Sequence, residues 1–214
     1  MFFDYNWRKT RHKALRNYAA YRLPNYPEVF LITKLPWLIG IHLFAVGLGI
    51  RTDASIPWWT LCILPCITTG LLIFSYYRER DRDIVGFFRY NSAFYSLVGL
   101  SMIELSIAYS IYAGVPSAGI GAFLIGMILF ASMLLWLRKK IDENYFSENN
   151  QHGAGAAGLA GVLGYGTYFI CKQVFSEQAL FALMAIVGGA LAAMMFGASV
   201  GCWLKSVGAD DPNR

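Results

Sequence analysis

Charge is scarce in this chain. Asp, Glu, Lys and Arg make up 14% of 214 residues, against roughly 25% in an ordinary soluble domain. Cysteine is limited to four residues, too few for a disulfide-stapled secreted scaffold. Polar low-complexity sequence is missing, and aromatics reach 16%, the reverse of a disordered composition. What is plentiful is apolar side chain: 57% of residues are hydrophobic and the mean hydropathy is +0.45. This balance points to a membrane chain.

Signatures of catalysis are missing too. No Gly-rich loop ends in Gly-Lys-Ser or Gly-Lys-Thr, so no nucleotide cradle is expected. No span carries the aspartate cluster with which alcohol phosphotransferases hold two metals, and Pro116-Ser117 is not followed by the histidine of a lipid phosphatase. Haem ligation by two histidines inside the membrane is excluded for the chain alone, because His12 and His152 lie in polar segments. The chain is expected to be non-enzymatic, with no cofactor and no metal.

A bilayer core of about 30 Å needs about 20 apolar helical residues. Six intervals qualify: Leu35 to Ile50, Pro57 to Tyr77, Ser92 to Ala113, Ser117 to Leu137, Ala156 to Phe175 and Ala179 to Leu204. All are read as helices, since unpaired backbone groups are intolerable in lipid. The first is the shortest and needs snorkelling by Lys34 and Arg51, or recruitment of Phe30 to Ile32 across Pro36. Sixteen of the 18 Lys and Arg residues fall on one side, leaving Arg51 and Lys172 on the other. The positive-inside rule then places both termini in the cytoplasm. The expected architecture is an all-α polytopic bundle of six helices in a bacterial-type inner membrane. It divides into a basic, aromatic arm (1–34), the transmembrane domain (35–204) and a cytoplasmic tail (205–214). The arm has no apolar core and does not resemble a cleavable signal, and no internal repeat is evident.

Glu104 falls near the middle of the third span, where a carboxylate is costly. It must face the bundle interior or water, find a partner, or be held protonated. Helical spacing puts Ser101 on its face, along with Leu97, Ala108 and Ile111. His42 lies at matching depth in span 1. A contact between the two would make a titratable couple, but it requires spans 1 and 3 to be neighbours with facing rotations. A His42 bonded to Ser, Thr or a backbone carbonyl is the favoured arrangement. Glu104, His42 and Ser101 therefore form either an ion relay or a polar pin for helix packing.

Span 6 repeats Ala185, Gly189, Ala193, Gly197 and Gly201 at every fourth residue, a ridge that lets helix backbones approach closely. Packing within the chain is favoured over packing on a neighbour. Spans 5 and 6, linked only by Ser176 to Gln178, are expected to form a tight antiparallel hairpin. Ser92, Ser96, Gly99, Ser106 and Ser110 make a second small stripe on span 3, read as a helix contact rather than a solute path. Cys62 and Cys66 are read as buried thiols rather than soft-metal ligands. Pro65 between them predicts a kink in span 2, with Thr68 and Thr69 able to bond freed carbonyls.

Arg8, Lys9, Arg11, Lys13 and Arg16, interleaved with Trp7 and Tyr18, suit an anionic cytoplasmic leaflet or a cytoplasmic partner. No nucleic acid is expected. The alternating Arg78 to Asp83 run reads as a solvated, self-paired turn.

The stretch Gly114-Val-Pro-Ser-Ala-Gly119, with Ala185-Ile-Val-Gly-Gly-Ala-Leu-Ala192, resembles the paired serine and histidine helices of rhomboid proteases. The position of that family's histidine is Ile186 here, so Ser117 lacks a base and inherits no catalytic role. His42 would lie roughly 10 Å or more from Ser117 at 1.5 Å per residue, which ranks an intramembrane hydrolase last. The leading expectation is a subunit of an inner-membrane assembly for transport or secretion, partnered by other membrane subunits or by its own copies. The alternative is a small self-contained proton- or cation-coupled transporter or channel using Glu104 and His42.

Overall fold

The computed structural model describes residues 5–20, 31–51, 60–81, 83–145 and 176–209. Among them the secondary structure is entirely helical. In chain order the helices are α1 (Tyr5–Ala20), α2 (Leu31–Arg51), α3 (Thr60–Glu79), α4 (Asp83–Tyr112), α5 (Pro116–Asp142) and α6 (Glu177–Ala209). Three of these are long and apolar enough to cross a membrane: Ile84–Tyr112 of α4, then α5 and α6. At 1.5 Å per residue the shortest of the three is about 40 Å long. α2 contributes a shorter apolar stretch, Lys34–Gly47. The interval from Ala156 to Phe175, and with it the expected hairpin of spans 5 and 6, lies outside the described residues.

Helix ends follow local chemistry. α4 stops at Gly114, whose φ of 66° suits a residue without Cβ. Gly114 N donates to Ile111 O and Val115 N to Ser110 O, the paired bonds that satisfy the last carbonyls of a helix. Pro116 then opens α5, where its missing N–H is no loss. α5 ends in the same way at Asn144, with a φ of 53°, its N–H on Ile141 O and that of Tyr145 on Lys140 O. Asn17 of α1 donates to the Asn144 side chain at 2.8 Å and ties the first helix to this end.

α4 is central, covered by α2, α3, α5 and α6, and its largest interface is with α6. Ser199 of α6 bonds Ser92 and Ser96 (3.1 and 2.7 Å), Ser106 Oγ donates to Ala185 O at 2.6 Å, and Tyr112 reaches Glu177. The two helices are therefore antiparallel, and the small stripe of α4 is a helix contact. α5 runs parallel to α6, because Ala118 packs with Ala185, Ala122 and Gly126 with Gly189, and Met133 with Gly197. α2 runs parallel to α4, as Lys34 sits over Phe94 and Phe44 beside Tyr109.

All five ridge residues of α6 are buried. A Cβ on Gly189 would stand 2.5 Å from Ala122 O, and one on Gly201 would stand 2.8 Å from the Tyr18 hydroxyl. Within this chain, then, the ridge is the seam against α5 and α1. The outer face of α5, by contrast, exposes Ile120, Phe123, Leu124, Ile128 and Leu135, which suits lipid.

Two features of the sequence reading change. α1 is docked on the bundle: Ala14, Leu15 and Tyr18 pack with Leu137, Ile141 and Leu204, while Lys13 and Arg16 face outward. Arg8, Lys9 and Arg11 belong to the same helix, but their side chains lie outside the described set. Burial pushes the Tyr18 phenol above its ordinary range, with a smaller contribution from Cys202. The Arg78 to Asp83 run is not uniformly solvated, because Glu79 is only 2% exposed and accepts from Arg78 Nε at 2.8 Å. The reason is spacing: Thr68, Leu72 and Glu79 fall on one face of α3, so the buried stripe runs to the end of that helix.

Candidate functional site

The buried face of α2 is made by Leu38, His42 and Ala45, spaced four and three residues apart. Thr68 and Leu72 make the corresponding face of α3, and Leu97, Ser101, Glu104 and Ala108 that of α4. Where these stripes converge, one polar side chain from α2 meets one from α3 and two from α4. His42 is 2% exposed and Glu104 4%, and both Thr68 and Ser101 are fully covered. Leu38, Leu72, Leu97 and Val98 belong to the apolar cluster packed beside them.

His42 Nδ1 bonds Glu104 Oε2 directly. On the other side of the ring, Nε2 lies 2.7 Å from Thr68 Oγ1 and 3.0 Å from Ser101 Oγ. Each hydroxyl also faces a carbonyl of its own helix: Thr68 faces Leu64 O at 2.9 Å and Pro65 O at 3.2 Å, and Ser101 faces Leu97 O at 2.9 Å. Pro65 lies three residues before Thr68, where it removes an N–H from the α3 ladder. Among the described residues, Glu104 Oε1 is buried and has no hydrogen-bond partner.

His42, Glu104 and Ser101 are thus brought together, and the histidine takes both arrangements open to it, carboxylate on one nitrogen and hydroxyls on the other. Thr68 was missed as a site residue. Its signal was its place near the middle of span 2, as His42 and Glu104 lie near the middles of theirs, whereas the sequence reading gave its hydroxyl only to carbonyls freed at Pro65. The depth of the cluster also shifts. α4 begins at Asp83 rather than Ser92, and Glu104 sits about 12 Å from the Tyr112 end and about 32 Å from the Asp83 end of the helix. Ser117 is exposed at the start of α5 and is not among the bonding partners of His42.

No group of three or more His, Cys, Asp or Glu side chains that could hold a metal ion occurs among the described residues. Cys66, expected to be a buried thiol, is instead exposed, because Thr68 and Leu72 take the inward face of α3; the Cys62 side chain lies outside the described set, and Cys202 is half-buried. A separate apolar groove of about 740 Å³ runs between α4, α5 and α6, walled by Ile107, Phe123, Met127 and Phe130, with Ser106 and Ser110 as the hydroxyl-bearing residues among the described ones that line it. Glu104 and His42 do not line it.

An ionisable couple sealed beside apolar side chains can hold charge or a proton that neither group could hold there alone. No protein-family model, no curated protein and no solved structure matches the chain.

Proposed function

We propose that this chain is an integral membrane protein of six crossings that couples the movement of a solute or ion to a proton or cation held at Glu104 and His42. The observation that carries the reading is the direct Glu104–His42 bond, completed by Thr68 and Ser101 and drawn from three helices. Intramembrane ionisable groups most often mark transport paths or relays. A couple whose members come from separate helices changes when those helices shift.

Chain connectivity supports the sixth crossing. α5 and α6 run side by side in the same direction, so the end of α5 and the start of α6 lie at opposite ends of the bundle. The sequence between the two helices includes 19 consecutive residues without charge, 153–171. Basic side chains of α1, α3, α4, α5 and α6 gather at one end, where Lys13, Arg78, Arg89, Lys139 and Lys205 lie. This supports both termini in the cytoplasm of a bacterial-type inner membrane.

A second reading is favoured by the sealing of the couple and the apolar outer face of α5. In it the chain is a non-enzymatic subunit of a larger inner-membrane transport or secretion assembly, and the couple pins α2, α3 and α4. Flux in proteoliposomes separates the two. The first reading expects a measurable flux of protons or cations in the wild type and its loss in Glu104→Gln. Absence of wild-type flux, together with a stable partner retained in mild detergent, would establish the second.

A further inference from the structure

We infer that the ion held at this centre is a proton and that metal cations are excluded, an inference that rests on the transport reading of the same four residues. Hydrogen-bond accounting carries it. The Thr68 and Ser101 hydroxyls have one hydrogen each, and both face helix carbonyls that cannot donate. With those hydrogens on the carbonyls, both hydroxyl oxygens present lone pairs to His42 Nε2. Nε2 must then carry a hydrogen, shared between them. A bare Nε2 would accept only one hydroxyl and would face a lone pair of the other across 3.0 Å or less.

With Nε2–H assigned in this way, the contact between Nδ1 and Glu104 Oε2 also needs a proton, since two lone pairs repel at hydrogen-bonding distance. One proton lies between them, as imidazole with carboxylic acid or as imidazolium with carboxylate. Either placement gives the four side chains zero net charge. A buried cluster surrounded by apolar side chains favours that total. The remaining acceptor is Glu104 Oε1, buried and without a partner, and proton exchange passes through it. A proton delivered to Oε1 by water leaves the shared one on Nδ1, giving imidazolium and a neutral carboxyl with net charge +1. Its return to water from Oε1 restores the starting arrangement.

A metal cation does not fit this set. Hard cations take about six or more oxygen ligands. Here one carboxylate oxygen is open, the second is engaged by histidine, and both hydroxyl oxygens already accept from an N–H. No hydrogen bond or ion pair joins the cluster to any further charged side chain among the described residues.

The test is nitrogen-15 magnetic resonance of the full-length chain in lipid bilayers. Histidine is labelled in a His12→Gln, His152→Gln background, so that His42 is the only signal. Nε2 is expected in the N–H form, unchanged when sodium or potassium chloride replaces N-methylglucamine chloride. Glu104→Gln should shift the Nδ1 resonance and leave Nε2 protonated. A bare Nε2 would overturn the assignment, as would a saturable shift with sodium or potassium that is absent in Glu104→Gln. Because the spectrum is read without transport, it stands apart from the flux measurement: loss of the transport reading leaves the proton assignment to be judged on the resonances alone.

Discussion

His42 and Glu104 stand 62 positions apart in the chain, on α2 and α4, and meet through Nδ1 and Oε2 in a cluster that also takes in Thr68 of α3. Three helices are thus joined by polar groups at a depth where their other contacts are apolar. Such bonds fix rotation and register, because a slip of one residue on any helix turns the polar side chain out of the cluster.

Removing the carboxyl without removing its shape separates charge from packing. Glu104→Gln keeps a hydrogen-bonding partner for His42 and is expected to fold, with thermal unfolding in detergent close to that of the wild type. Glu104→Leu leaves Nδ1 unpaired and should cost about 1–3 kcal/mol. Equal melting temperatures for the two variants would contradict the bond as a structural contributor.

On the far side of the ring, Thr68→Val keeps the branched shape and removes the hydroxyl. It is expected to destabilise the bundle by about 0.5–1.5 kcal/mol, with Thr68→Ser near wild type. Combining Thr68→Val with Ser101→Ala should cost more than the two single changes together, since either hydroxyl alone still accepts from Nε2. Strict additivity in a double-mutant cycle would refute a shared donor.

The α5–α6 seam is tested by two alanines. Gly189→Ala forces a Cβ to within 2.5 Å of Ala122 O and should destabilise by about 1–3 kcal/mol through overpacking. Gly121→Ala meets nothing within 4 Å and should be neutral, or stabilising by up to about 1 kcal/mol as a half-buried helical glycine replaced where there is room for a Cβ. Melting curves that fail to separate them would show that the seam is looser than described.

Docking of α1 should weaken in alkali. Burial holds the Tyr18 phenol protonated above the ordinary tyrosine value of 10.0. The folded state therefore binds this proton more tightly than the unfolded one. That stability is fully present below pH 10.0 and declines as pH rises past it. Protease sensitivity of residues 5–20 is expected to increase over that range, and to increase less in Tyr18→Phe. Identical profiles would remove Tyr18 as the cause.

Much of this arrangement was legible in the sequence because lipid leaves few options. Charge-free runs marked α2 to α6 though not α1, the four-residue repeat from Ala185 to Gly201 marked the seam, and the carboxyl within span 3 marked the site. The pairing of Glu104 with His42 was open, since composition says nothing about which helices are neighbours or how they rotate. Thr68 was legible only as a partner for its own helix, and its second role depends on α2 lying against α3. The burial of Glu79 was hidden by the charges on either side of it, although its spacing from Thr68 and Leu72 placed it on the inward face. The docking of α1 was obscured in a similar way: its basic residues suggested an arm lying on an anionic leaflet, while Ala14, Leu15 and Tyr18 supplied a compact apolar stripe.

α6 supplies the principal contact surface of α4 and of α5, which touch one another comparatively little, and it follows both of them in the chain. The bundle therefore closes only once residues 177–209 have been made. Until then α4 and α5 keep their small-residue faces bare. A chain cut short before Glu177 would leave Ser106 of α4 and Ala122 and Gly126 of α5 without the backbone they pack on, so the cohesion of both helices is vested in one later partner.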